Sequence, residues 1–431
     1  MPDASVVIAH PGTQHSYEAA IALQDAGLLR EYITGLYFKQ RGLPYRLRWI
    51  LPANASMRLD KELMKRRRPG LRDDIVRTHW WVEAAFVAAR NLAAPSWLID
   101  RAFVWRNQTF SRLVAKHIEA TVPAAVVCYD SCALESFQAA ARVGTLKVLD
   151  QTCPHLTTSA EVMGQENRAS PPEFRSKLPP KWVLDKYIEE ARHADLILAG
   201  SAFVKDTLTR IGVAASTVVI LPYGVNLDLF SPPAEKNTDH KLTAVFAGQL
   251  GARKGIFYLL EAFRGLASLD CRLLLIGGGE RDRAALEKYG VLFDHVPFAA
   301  RSELARLYRE ADLFVFPSLM EGSALVTYEA LASGLPVITT PNSGSVVRDG
   351  IEGLIVPPRD VEALRQSIKK LALNAELRRA MGFAARRRAE EYSWSRYHQR
   401  LAAIIRDKLA ERESAVNLVQ SRPGSLAAGA Q

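Results

Sequence analysis

DLFVFPSLMEGSALVTYEALASGLPVITT, residues 312–340, reads as strand, helix and strand in succession. DLFVFP (312–317) and LPVITT (335–340) are short, nearly continuous apolar runs bounded by proline or glycine, the pattern of strands buried on both faces of a parallel sheet. The segment between them has helical periodicity. The same alternation extends in both directions. Upstream lie SVVIAH (5–10), AAVVCY (124–129), TLKVLD (145–150), DLILAG (195–200), STVVILP (216–222), LTAVFAG (242–248) and RLLLIG (272–277), and downstream GLIVPP (353–358). Helical patterns such as IFYLLEAFRGLASL (256–269) and VEALRQSIKKLALN (361–374) fall among them. Strand–helix alternation of this kind predicts an α/β architecture with doubly wound parallel sheets.

SPPAEKNTDHK (231–241), polar and carrying prolines, interrupts the series and reads as a linker. Two Rossmann-like domains facing a cleft are therefore expected, residues 1–225 and 226–393. An amphipathic helix over 394–413 is expected to pack back on the first domain, and 414–431 to form a disordered tail.

The composition excludes other classes. The 431 residues are 48% hydrophobic and 24% charged, which rules out a largely disordered chain or a fibre. Four cysteines (Cys128, Cys132, Cys153, Cys271) form no CxxC pair, so neither a disulfide scaffold nor a zinc site is expected, and a reducing, cytoplasmic setting fits. The first residues carry an acid and no basic segment, unlike a signal peptide. No apolar run approaches the ~18–20 residues needed to span a bilayer. The charge is +10, and residues 58–72 (seven Lys/Arg against Asp60 and Glu62) contribute half of it. Followed by Trp80-Trp81, that stretch reads either as a solvated helix face or as a contact with an anionic membrane surface. Nucleic-acid binding is not expected, since no recognition-helix, RNP-type or zinc-finger pattern accompanies it.

The chemistry-bearing residues lie where strands end. Glu321-Gly322-Ser323 follows a strand and opens a helix, and Glu329 comes eight residues later. If all eight were helical, the two glutamates would be separated by a rise of about 12 Å. That exceeds the ~5–9.5 Å of a glycosidase carboxyl pair. The spacing suits the two ends of an extended ligand, with the helix N-terminus offering N–H groups to a diphosphate between them. An ordinary first-turn glutamate and a solvated helix position fit the same pattern. Arg253-Lys254-Gly255, also between a strand and a helix, can neutralise phosphate oxygens. LLLIGGGERDRAAL (273–286) is glycine-rich but out of register as a dinucleotide fingerprint. His10, Pro11, Gly12 and His15 occupy the first strand–helix loop, where a histidine either meets substrate or caps and packs.

Together these motifs resemble the retaining glycosyltransferases of family 4, the glycosyl transferases group 1 family, which have the GT-B fold. EGSALVTYEALASGLPVITT is similar to the family's E-x7-E region and VFAGQLGARKG (245–255) to its phosphate-binding loop. Residues 194–232 resemble its interdomain crossing, NSGSVVRDGIEGLIVPPRD (342–360) its closing region, and YSW (392–394) the start of its returning helix. The likeness is specific over about 190–400, and only in outline before that. It implies that Glu321 contacts the donor sugar and Glu329 the ribose, with Arg253 and Lys254 on the diphosphate. By the same likeness, the backbone of Gly322, Ser323, Ala324 and Leu325 meets phosphate and sugar, Gly12 lets the first domain approach the phosphates, and the main chain at Pro297-Phe298 receives the base. His155 is the nearest candidate for the family's N-terminal catalytic histidine. Gln249 stands where the family often has arginine, which leaves open whether Arg253 substitutes or Lys254 acts alone. Ser323-Ala324 replaces a frequent Phe-Gly, which alters the sugar pocket.

The resemblance implies transfer of a sugar from a UDP- or GDP-sugar to a hydroxyl of a glycan or lipid-linked acceptor, in polysaccharide, lipopolysaccharide or glycolipid biosynthesis. No DxD or His/Asp cluster appears at these loops, so neither metal nor organic cofactor is expected. A soluble small-molecule acceptor, a non-catalytic nucleotide-sugar-binding protein and a nucleotide-sugar epimerase are the alternatives. The expected location is the cytoplasm or the inner face of the cytoplasmic membrane.

Overall fold

The computed structural model describes residues 5–12, 15–39, 45–64, 66–91, 95–235, 241–278, 286, 287, 289, 291 and 293–420. Its strands are β1 (Val6–His10), β2 (Leu29–Thr34), β3 (Val76–Thr78), β4 (Ala125–Tyr129), β5 (Leu146–Gln151), β6 (Leu196–Ala199) and β7 (Val218–Ile220). The series continues with β8 (Leu242–Ala247), β9 (Cys271–Ile276), β10 (Phe293–Val296), β11 (Leu313–Phe316), β12 (Val337–Thr339) and β13 (Gly353–Ile355). They form a seven-stranded sheet in the order β3-β2-β1-β4-β5-β6-β7 and a six-stranded sheet in the order β10-β9-β8-β11-β12-β13. The described pairings between these strands are parallel.

Each apolar run read from the sequence contains a strand, and the central ones (β1, β4, β8, β11) are buried almost throughout, as a sheet covered on both faces requires. Three strands gave no such signal. LREYIT (β2), VRT (β3) and FDHV (β10) carry charges, because β3 and β10 lie at sheet edges and β2 beside one, where side chains reach water.

By chain contacts the protein divides into two compact units. One comprises residues 1–149, 193–195 and 398–431, the other 150–192 and 196–397. By these contacts residues 150–192 and 196–225 are counted with the second unit, although β6 and β7 belong to the seven-stranded sheet. Within that unit Val225 bridges to Ser393, and its N–H donates to the Tyr392 carbonyl at 2.9 Å. The C-terminal helix runs from Trp394 to Gln420, so 414–420 are helical rather than tail, and residues 421–431 lie outside the described residues.

Both sheets reverse strand direction of progression at one place, between β1 and β4 in the first and between β8 and β11 in the second. In open α/β sheets the crevice beyond the carboxyl ends of those two strands is the ligand site. In the second unit this crevice is formed by the Gly248–Gly255 and Pro317–Ala324 loops.

Candidate active site

The two loops of the second unit are locked together by backbone. Residues 252–254 make a single 3-10 turn after β8, closed by Gly255 at φ +71°. A Cβ at Gly255 would run into the Pro317 carbonyl at the end of β11, so glycine is needed both for the left-handed conformation and for the close approach. The Leu319 N–H donates to the Arg253 carbonyl at 2.9 Å, and the Glu321 N–H to the Asn342 carbonyl at 2.8 Å.

Three of the expected site residues converge on one atom. Arg253 Nη1 lies 2.5 Å and Lys254 Nζ 2.6 Å from Glu321 Oε1. The Ser318 hydroxyl is 3.3 Å from the same oxygen, and Lys254 Nζ also sits 5.0 Å over the Phe316 ring. Burial pulls the Lys254 pKa below its usual value, and the Glu321 carboxylate only partly offsets this. For Arg253 burial again opposes the charge, but Glu321 and Cys153 more than offset it, so its pKa rises. The site therefore holds two cations on one buried carboxylate, an arrangement that an incoming dianion can take over.

The helix after Glu321 begins only at Leu325 and ends at Ala332, with Ala324 as a cap that provides no side-chain hydrogen bond. Glu321 thus precedes the helix, and the 12 Å rise expected for eight helical residues does not apply. A short non-helical segment, residues 321–324, precedes the helix instead, and other backbone lies close to it. A Cβ at Gly322 would collide with the Thr152 carbonyl, and one at Gly200 would lie 2.8 Å from Ser323 Cβ. The Ser323 hydroxyl is tied to Tyr328 OH at 2.8 Å.

Glu329 is buried in that helix, not solvated, and Arg301 Nη2 holds its Oε1 at 2.7 Å. Burial pushes the Glu329 pKa up to about 7 against the opposing pull of Arg301. Sequence reading missed Arg301, and no local motif marks it: it lies 28 residues upstream and meets Glu329 only through the fold. The Thr152–Cys153 loop against Gly322 was likewise unannounced. At the β9 and β10 ends, a Cβ on Gly278 would lie 3.3 Å from the Pro297 carbonyl, while the Phe298 side chain is exposed. Part of the 273–286 glycine loop, Gly279 to Ala285, lies outside the described residues.

His155 follows β5 at the start of a helix. It is fully buried and caps the Leu156–Ala169 helix, with Nδ1 2.9 Å from the Thr157 hydroxyl and its backbone N–H donating to Thr207 Oγ1 at 3.0 Å. Burial lowers its pKa. In the first unit His10 Nδ1 contacts the Gly12 carbonyl at 3.0 Å, and its ring packs edge-on against Tyr129. Burial brings its pKa down to about 3, which keeps it neutral. Among the described residues no group of three or more His, Cys, Asp or Glu is placed to hold a metal ion.

The glycosyl transferases group 1 profile matches residues 241–374, the segment that carries Arg253, Lys254, Glu321 and Glu329. Over these residues the chain is similar to the glycosyl transferases group 1 family. Its curated relatives include the D-inositol 3-phosphate glycosyltransferase of Corynebacterium diphtheriae, 27% identical over 241 residues (50% of this chain, 56% of the relative). Another is the putative colanic acid biosynthesis glycosyltransferase WcaL of Escherichia coli K12, 30% identical over 205 residues (43% and 50%). The chain thus spans about half the length of the curated relatives it matches. Anabaena Alr3699/HepE, solved in complex with UDP-glucose, superposes with a TM-score of 0.61 at 13% identity, covering 93% of this chain and 99% of that one. The fold of this chain is therefore the two-domain GT-B fold.

Proposed function

We propose that the protein is a retaining, metal-independent glycosyltransferase that moves a sugar from a UDP- or GDP-sugar to a hydroxyl of a glycan or lipid-linked acceptor. Polysaccharide, lipopolysaccharide or glycolipid synthesis at the inner face of the cytoplasmic membrane is the setting. The observation that carries the reading is the pair of cations on Glu321 at the β8 and β11 ends. Residues 1–225 serve as the acceptor side and 226–393 as the donor side.

On donor binding, Lys254 and Arg253 exchange the Glu321 carboxylate for the diphosphate, and the N–H groups of Ser323, Ala324 and Leu325 add the positive end of the helix. Glu321, released, accepts hydrogen bonds from the sugar hydroxyls beside Gly322. Glu329, oriented by Arg301, accepts from the ribose, and the main chain at Phe298 meets the base. The bond from the anomeric carbon to the β-phosphate oxygen breaks with its electron pair going to the diphosphate. The acceptor oxygen bonds to that carbon, and its proton passes to the departing diphosphate. Lys254 and Arg253 are already in place where this negative charge grows.

The test is release of UDP or GDP from a panel of nucleotide sugars, with and without a membrane extract as acceptor source. Lys254→Ala and Glu329→Ala should each abolish release while the fold persists. Wild-type rates in both variants would refute the assignment. A soluble acceptor is the second reading, favoured by the name of the Corynebacterium relative, and D-inositol 3-phosphate in place of the extract tests it.

A further inference from the structure

The largest exposed apolar side chains of the first unit come from one stretch of chain, residues 49–105. Trp49 and Ile50 are 75% and 79% exposed, Met64 52%, Trp97 54%, and Trp81 and Trp105 are about half exposed. Soluble surfaces rarely gather apolar groups of this size without a partner.

The segments carrying them are joined. The Tyr45–Trp49 turn packs on the Ala53–Met64 helix, and Trp80 packs with Tyr45 on the small core of Leu36, Phe38 and Leu63. The Trp80–Asn91 helix packs on the Ser96–Thr121 helix, where the Trp81 and Trp105 rings meet at 6.2 Å.

Charge selects the partner. Residues 45–112 contain fourteen Lys/Arg against six Asp/Glu, most of the +10 of the whole chain. The basic stretch singled out in the sequence is only partly available. Arg66 pairs with Glu83 at 3.5 Å, Arg68 with Glu18 and Arg72 with Asp74, and the side chains of Arg58, Lys61 and Lys65 lie outside the described residues. Arg46, Arg67, Arg90, Arg101 and Arg112, by contrast, are exposed and have no carboxylate partner among the described residues. A second copy of the chain would bring the same excess of positive charge against itself. Tryptophans beside arginines whose stems lie along apolar surface are suited to the headgroup boundary of an anionic bilayer.

We infer that this tryptophan–arginine surface of residues 46–112 docks on anionic lipid. The inference rests on the membrane-bound branch of the proposed function and names its partner surface. Among the described residues no helix is long and apolar enough to cross a membrane, so the contact is interfacial. Each unpaired arginine near such a surface strengthens partitioning by about five-fold at low salt.

The full chain is sedimented with vesicles of equimolar phosphatidylglycerol and phosphatidylcholine, and with vesicles of phosphatidylcholine alone. Binding is expected to the first only, reversed by high salt, with a blue shift in tryptophan emission and quenching by brominated lipid. Trp97→Ser with Arg101→Gln, both exposed, should lower partitioning at least ten-fold with melting temperature unchanged. No sedimentation with the anionic vesicles, full binding by the double variant, or a dimer in light scattering that is lost in that variant would each overturn the inference. Nucleotide release with a soluble acceptor would persist in all three cases, which separates failure of the surface from failure of the glycosyltransferase reading.

Discussion

Glu321→Gln probes the centre of the site. In the free protein one carboxylate oxygen neutralises two cations at 2.5 and 2.6 Å. The side chains are 10% (Glu321), 13% (Lys254) and 38% (Arg253) exposed. Removing one partner of a buried ion pair costs about 3–5 kcal/mol, and solvent screening of the more exposed Arg253 reduces that to about 2–4 kcal/mol. For a unit of this size a loss of that order lowers the melting temperature by about 4–16 °C. The Gln variant also leaves Lys254 without its main support, so its pKa falls further, and raising the pH relieves the penalty by letting it shed its proton. The melting gap to wild type should therefore narrow as pH rises. A nucleoside diphosphate supplies the missing negative charge. In the wild type it must displace Glu321, whereas in the variant it meets cations without a partner, so UDP should bind the variant tighter by about ten-fold even as sugar transfer falls. Differential scanning fluorimetry and titration calorimetry with UDP and GDP read both effects. Equal melting temperatures, or UDP binding no tighter than to wild type, would refute the argument that these cations are held ready for a diphosphate.

Three further outcomes follow from neighbouring contacts. Glu329, with a pKa near 7 in the fold against 4.5 in the unfolded chain, binds its proton more tightly when folded, so it costs stability as pH rises from 4.5 through 7, by about 3 kcal/mol in full. Glu329→Gln lacks that penalty, and its melting temperature relative to wild type should climb between pH 5 and 8; a flat difference would contradict the burial argument. Gly322→Ala pushes a methyl into the Thr152 carbonyl and should destabilise by about 1–3 kcal/mol while raising the donor KM, read by melting and by nucleotide release. Glu166 is buried and accepts from Arg359 Nε at 3.0 Å and Tyr258 OH at 2.9 Å. Glu166→Ala should lower unfolding stability by about 3–5 kcal/mol in urea titrations, and Tyr258→Phe by about 1–3 kcal/mol.

Local patterns carried much of the fold. Buried parallel strands are continuous apolar runs, and such a run is visible without knowing its neighbours, so β1, β4 to β9 and β11 to β13 could be read off directly. The loops at the ends of β8 and β11, and with them Arg253, Lys254 and Glu321, followed from the same alternation. β2, β3 and β10 could not be read this way, because their charged residues satisfy sheet-edge exposure that only the strand order defines.

What tertiary structure alone decided is which charges meet. Arg253 and Glu321 are 68 residues apart, and Arg301 and Glu329 are 28 apart, and neither spacing has a periodicity that predicts contact. The same holds for the Thr152 carbonyl, which leaves no room for a Cβ at Gly322, and for the contacts His155 makes with Thr157 and Thr207. Backbone propensity and hydrophobic period act over a few residues and are written locally. Ion pairing and close packing depend on distance in space, and that is fixed only when the sheets assemble.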